Sequence, residues 1–291
     1  MALHHAPLAL LAYPYTRLEP LEPTATELRA RGREPGSALV WCMDVGGDKG
    51  LARVVRFRPG GLSLLVILPP GAELMSFSGL TLELHQLRPN GILPYHPNPS
   101  PADLAQVLRR PPVDLAGEVT DYLRWRGLGI DRDTIHLLRR VLELSGELRS
   151  ISGVSRSMYM SRRVLGRRLT AGGLPVPSHW LQMGRLLRVA FRLQNSEATV
   201  SSVAYQLGYP DGFSLSNQME RLIGYRPTEV RGRLGWEWLV ESWLRSEADA
   251  GRLRAMTTLP AEGGEDPEPI AMSRPSRGAR PQGRSRRRSH A

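Results

Sequence analysis

The chain has 291 residues, 41% of them apolar, enough for two ordinary domains with hydrophobic cores. Its one cysteine, Cys42, excludes an intrachain disulfide and a cysteine-based zinc site and fits a reducing cytoplasm, and no run of about eighteen apolar residues offers a membrane span. The formal charge of +11 is concentrated: residues 132–235 hold 16 arginines against 7 acidic residues, whereas residues 1–131 balance 13 basic with 13 acidic side chains. A polyanion-binding domain has this charge distribution. A GC-rich codon bias explains why arginine outnumbers lysine 38 to 1, but not why the excess sits in one block.

The first residues, MALHHAPLALLAYP, lack the basic start and small-residue cleavage site of a signal peptide and read instead as a buried first strand. LALLAY (8–13), SALVWCMDV (37–45), LSLLVILP (62–69) and GILPY (91–95) are short apolar runs bounded by Pro and Gly, the form of buried parallel strands. TATELRARG, DKGLARVVRF and a segment including LTLELHQL lie between them and can form helices. The alternation predicts a small doubly wound α/β domain with a mostly parallel sheet over 1–112. Asp44 and Asp48 after the second run read as a loop turn rather than an acidic pocket. In PSPADLAQVLRR, Ser100 and Pro101 form a cap and first-turn pair. A helical linker over 113–131, which contains VDLAGEVTDYLRWRG, leads into an all-α region over 132–256 that opens with RDTIHLLRRVLELSGEL. Trp236, Trp238 and Trp243 of the last helix read as core. Residues 257–291, rich in Pro, Gly, Ser and Arg, read as a disordered basic tail ending in a nonspecific polybasic arm.

Within the all-α region two segments share one grammar. In VAYQLGYPDGFSLSNQMERLIGYRP (203–227), Val200, Val203, Ala204 and Leu207 line one helix face, Gly208 ends that helix in the left-handed conformation, and Tyr209 to Gly212 turn the chain. Leu215, Met219, Leu222 and Ile223 then face inward, leaving Ser214, Ser216, Asn217, Gln218, Glu220 and Arg221 outside. Earlier, Val154 and Met158 share a face, Tyr159 and Met160 take the turn, and Ser161 caps a helix. There Val164, Leu165 and Leu169 point inward and Arg162, Arg163, Arg167 and Arg168 stay outside. Each segment is a helix-turn-helix. HWLQMGRLLRVAFRLQ (179–194) reads as one amphipathic helix joining them.

The second segment resembles the second helix-turn-helix of the AraC/XylS family of transcription regulators. Val203, Ala204, Leu207, Gly208 and Tyr209 match the family's I-A-x-x-L-G-F. Asp211, Ser214, Ser216 and Met219 match D-x-x-S-x-S-x-x-F, and Gly224, Pro227 and Arg231 match G-x-x-P-x-x-Y-R. MSRRVLGRRL and GLPVPSHWLQMGRLLRVAFRL resemble the first unit and its connecting helix, although Ser155 and Tyr159 replace the family's alanine and glycine. Gly166 also lies where a longer side chain is common. The resemblance covers roughly 133–235. It implies that Arg163 and Arg167 face bases, with Arg168 beside them, while Ser161 and Arg162 set their helix on the backbone. Gly212, Phe213, Ser214, Ser216 and Asn217 would face the second groove and Arg221 a phosphate. Asn217 would read a base, adenine by preference, and Phe213 would meet a thymine methyl or simply pack. Two such helices on one connector would enter successive major grooves of double-stranded DNA. RNA polymerase, and a second copy of the chain bound through the N-terminal domain, are candidate partners.

The N-terminal part resembles a response-regulator receiver in RPGGLSLLVILP and GILPYHPNPSPADL. However, His96 stands in the place of the lysine and Pro69 and Pro70 in the place of the phosphoacceptor aspartate. That implies a shortened, non-phosphorylated receiver-like domain used for regulation or assembly. No catalytic apparatus is visible. His4, His5, His85, His96, His136, His179 and His290 form no metal spacing, there is no phosphate-binding G-x-x-x-x-G-K and no G-x-S-x-G, and no cofactor or metal is expected. The rival reading is a protein-interaction or nonspecific nucleic-acid-binding module with a degenerate helix-turn-helix. Ordinary surface polarity remains open for Ser214, Ser216 and Asn217, as does a merely solvated basic face for the four arginines.

Overall fold

The four apolar runs become strands whose alternate residues serve two different cores. In a computed structural model, which describes residues 7–44, 49–71 and 84–254, the N-terminal layer holds five strands. They are β1 (Leu8–Leu11), β2 (Leu18–Pro20), β3 (Ala38–Cys42), β4 (Ser63–Ile67) and β5 (Gly91–Leu93). Three helices accompany them: α1 (Ala25–Arg31), α2 (Lys49–Arg56) and α3 (Pro101–Arg109), with a further helical turn at 84–87. Leu8, Leu10, Leu39, Trp41, Leu64 and Val66 pack with Leu28 of α1 and Leu51 and Val55 of α2. The intervening Ala9, Leu11, Ala38, Val40, Leu65 and Ile67 pack with Leu104, Ala105 and Leu108 of α3 and with Leu234. Both faces of the sheet are therefore covered, which is why the runs are continuously apolar.

The strand order is β2-β1-β3-β4-β5, the order of flavodoxin-like doubly wound sheets. β3, β4 and β5 are parallel, but β1 runs antiparallel to both of its neighbours, so the sheet is mixed. The link between β1 and β2 accounts for one of these pairings. Leu11 lies opposite Leu18, and the short hairpin between them has no room for a crossover helix. Ser100 does stand at the N-cap of α3, but its side chain makes no capping hydrogen bond. Asp44 is exposed, and His96 is exposed with its Nδ1 accepting from the Asn98 N–H at 3.2 Å. His4, His5, Asp48, His290, the start of LTLELHQL and the basic tail lie outside the described residues.

The all-α part comprises α4 (Leu115–Trp125), α5 (Arg132–Leu144), α6 (Ile151–Ser157), α7 (Arg162–Ala171), α8 (Pro177–Gln194), α9 (Val200–Gln206), α10 (Gly212–Ile223), α11 (Pro227–Gly232) and α12 (Glu237–Asp249). Asp114, Asp131, Ser150, Ser161, Thr199 and Asp211 each accept a first-turn N–H, so six of these helices begin at a side-chain cap. Buried α8 is the axis, packed by α5, α9, α11 and α12. Trp180 and Trp243 meet edge to face there, with centroids 4.4 Å apart, and Trp236 and Trp238 are buried as the sequence implies.

Buried charges key the layer to the helices. Arg58 is 3% exposed and donates to the carbonyls of Leu62, Leu87 and Arg88 while lying 4.3 Å over the Trp125 ring. Burial pulls its guanidinium down to about 10, still protonated at neutral pH. Arg88 pairs with Glu118 of α4 and with the fully buried Glu237 of α12. Arg126 grips Glu241 through two parallel 2.9 Å bonds. The Tyr15 hydroxyl donates to Gly36 O and accepts from Leu234 N, and burial pushes its pKa up to about 12.

Candidate nucleic-acid interface

Two helix pairs, α6–α7 and α9–α10, are built alike. In the first, the N–H of Met160 bonds the carbonyl of Ser155 at 2.9 Å; in the second, Tyr209 bonds Ala204 at the same distance. Tyr159 and Gly208 occupy the same left-handed turn position, at φ 52° and 76°. Ser161 then accepts from Val164 N at 3.2 Å, as Asp211 accepts from Ser214 N at 2.6 Å. The Ser214 hydrogen bonds hold the Asp211 carboxyl below its ordinary range, so it caps as a carboxylate. Counting from the caps pairs Leu165 with Leu215 and Leu169 with Met219 on the buried side. On the outer side, Arg163 pairs with Phe213 and Arg167 with Asn217.

The structure places the expected residues as follows. Ser161, Arg162, Arg163, Arg167 and Arg168 are all exposed on α7 or at its cap. Phe213, Asn217 and Arg221 are exposed on α10, Phe213 to 75%, so this ring does not pack into the core. Gly212, Ser214 and Ser216 are half-buried. A Cβ on Gly212 would lie 2.8 Å from the Ser201 Oγ and 3.3 Å from the Ser201 backbone, so glycine here lets α9 approach α10. The Ser216 hydroxyl donates back to Gly212 O at 2.8 Å. Arg231, from the family's closing motif, clamps the chain between α8 and α9 by donating to Ser196 O and Ala198 O.

The arginines of the helical region differ in what they reach. Arg139, Arg140, Arg226, Arg245 and Arg252 reach carboxylates. Arg149, Arg162, Arg163, Arg167, Arg168 and Arg221 have no ion pair among the described residues. An excess of unpaired guanidinium on one face is a ready contact for phosphate and for the acceptor edges of bases.

An open groove of about 480 Å³ brings together parts the sequence keeps apart. It is lined by Arg149 and Ile151, by Ser178, Leu181, Gln182 and Arg185 of α8, and by Ser214, Asn217, Gln218 and Arg221 of α10. Nothing in the sequence singles out Gln182, and only the concentrated positive charge points to Arg149 and Arg185. Arg185 is fixed by its 2.8 Å bond to Leu207 O and lies 4.6 Å from the Tyr209 ring centroid. Among the described residues no group of three or more His, Cys, Asp or Glu could hold a metal ion, and no helix is long and apolar enough to cross a membrane.

Residues 154–233 match the family model described as a helix-turn-helix domain. The chain is 31% identical over 84 residues to the HTH-type transcriptional activator RhaS of Escherichia coli O139:H28 (strain E24377A / ETEC), and equally so to that of strain SE11. Each match covers 28% of this chain and 30% of the relative, so the chain spans less than a third of the length of these relatives. A transcriptional regulator of Pseudomonas aeruginosa, CdpR, aligns over 64% of both chains at 18% identity and a TM-score of 0.31, too loose a likeness to inform the fold. The doubled turn-and-cap geometry lies almost wholly within the matched segment: residues 154–233 are a helix-turn-helix domain of the AraC type.

Proposed function

We propose that the protein is a sequence-specific, double-stranded DNA-binding transcription regulator that reads successive major grooves with α7 and α10. One observation carries this reading. Two helix-turn-helix units with the same turn and cap hydrogen bonds hold Arg163, Arg167, Phe213 and Asn217 outward at equivalent positions. Arg163 and Arg167 read guanine O6/N7 and Asn217 reads adenine, each good bidentate pair giving about 1–3 kcal/mol of discrimination. Ser161, Arg162, Arg168 and Arg221 position the helices on phosphates.

In this reading 132–256 is the DNA-binding domain, 113–131 the linker, and 1–112 a receiver-like domain for regulation or assembly, including self-association. RNA polymerase is the partner a regulator engages, the cytoplasm (on the nucleoid) is its location, and no catalytic step is assigned to it. Binding-site selection from genomic DNA with the purified full chain, at two salt concentrations, tests the proposal. A defined motif is expected at both. Binding that is uniform across sequences and vanishes with salt would overturn it.

The nonspecific reading draws on one observation. With Gly212 packed on α9 and Ser216 bonded to its own helix, α10 offers few groups able to read a base.

A further inference from the structure

The groove between α8 and α10 has a composition that small-ligand pockets lack. Three guanidinium groups, those of Arg149, Arg185 and Arg221, line it from three separate segments, together with the amides of Gln182, Asn217 and Gln218, and no carboxylate is present. Arg185 is immobilised by the carbonyls of Leu207 and Gly208, and Arg149 is laid against the turn of the second unit, where a Cβ on Gly208 would come within 2.2 Å of its Cζ. These are positioned cations, and their charge is answered by no acid within the groove. One wall, Asn217 and Arg221, belongs to the second reading helix, and another, Arg149 and Ile151, belongs to the start of the first unit. Whatever lies in the groove touches both units.

We infer that the groove is a sugar–phosphate seat: one DNA strand, crossing from the major groove read by α7 to that read by α10, lies against Arg149, Gln182, Arg185 and Arg221. The inference rests on the proposed function and adds residues to it that carry no base information. By bridging the two units, the seated strand fixes their register on the duplex, the role of phosphate contacts in general. Open form and unpaired charge suit a linear polyanion that passes through, whereas a small anion would need enclosure.

The test is an anisotropy titration of the full-length chain against its selected duplex and a scrambled duplex, from about 50 to about 200 mM KCl. Arg149→Met removes the guanidinium that lies against Gly208, and with it the charge; Gln182→Glu places a carboxylate in the groove. Each is expected to weaken binding to both duplexes about tenfold at the low-salt end, leaving the preference between them unchanged. Arg149→Met should also make the log–log salt slope shallower by about 0.9, the value of one phosphate contact, and Arg149→Lys should restore most of it. Wild-type affinity and slope in either variant overturns the inference, as does a changed preference between duplexes. If Arg149→Met melts early, Gln182→Glu on the solvent side of α8 carries the test alone. Failure here is separable from failure of the parent reading. A wild-type protein that selects a motif while Arg149→Met and Gln182→Glu behave like it removes only the groove assignment. A wild-type protein that selects no motif removes sequence reading whatever these variants do.

Discussion

Tyr122 and Glu241 are joined by a 2.8 Å hydrogen bond in which a fully buried phenol donates to a nearly buried carboxylate 119 residues away. The same hydroxyl accepts from the Gly61 N–H at 2.9 Å, so one oxygen ties the sheet layer, α4 and α12 together. Tyr122→Phe keeps the packing and orphans a buried backbone donor. It should cost about 1–3 kcal/mol in urea unfolding, whereas a phenol that merely filled space would cost almost nothing.

The acid limit of stability should follow from the same carboxylate. Burial by itself would raise the Glu241 pKa, but hydrogen bonds from Arg126 and Tyr122 outweigh it and hold the group below its ordinary 4.5. The folded pKa is therefore lower than the unfolded one. The stabilisation is complete above that ordinary value and is lost as pH falls through the folded value. Glu247, held low by Arg252 and His179 against its own burial, acts in the same direction. Unfolding free energy should stay level from pH 7 to about pH 5 and drop as pH falls further, through the folded values below 4.5, and Glu241→Gln should be less stable at pH 7 with a flatter profile.

Tyr159 carries a left-handed backbone that costs a non-glycine residue about 1 kcal/mol, and its ring is 99% exposed, so no packing offsets the cost. Tyr159→Gly should leave the melting temperature unchanged or higher. Gly166 has no atom within 4 Å of an added Cβ, and Gly166→Ala should stabilise α7 by about 0.5–1 kcal/mol. A destabilised Gly166→Ala would mean that the α7 backbone departs from helical geometry there.

Site-selection profiles of variants should divide the reading face. Arg163→Ala and Arg167→Ala should each relax one or two positions of the selected motif and weaken binding by about 1–3 kcal/mol, as should Asn217→Ala in the second half of the site. Ser216→Ala should leave both unchanged, because its hydroxyl is spent on Gly212 O.

What could be read from the residues and what could not divides along physical lines. The four apolar runs became strands because burial on both sheet faces leaves a continuous apolar signature. β2 escaped because Leu18-Glu19-Pro20 has neither alternation nor β-branched residues, and its edge position tolerates the proline. The direction of β1 depends on pairing, which apolar content does not encode. The second helix-turn-helix was legible because Gly208 marks its turn and Leu215, Met219, Leu222 and Ile223 recur at helical spacing after it. The groove was not, since Arg149 precedes α6, Gln182 lies on α8 and Arg221 on α10, and only tertiary packing joins them. The roles of Ser216 and Gly212 were hidden for a different reason. Helical periodicity assigns each side chain a face, but not the rotamer of a hydroxyl or the distance to the next helix.

The Tyr15 hydroxyl takes its proton donor from Leu234, 219 residues further along the chain. On a ribosome adding about 5–20 residues per second, that partner emerges on the order of ten to forty seconds after the hairpin that needs it. During that interval the α3-facing side of the sheet, with Ala9, Leu11 and Val40, is waiting for Leu234. Slowing translation across 112–234 should therefore lower soluble yield more than slowing it after 254 does.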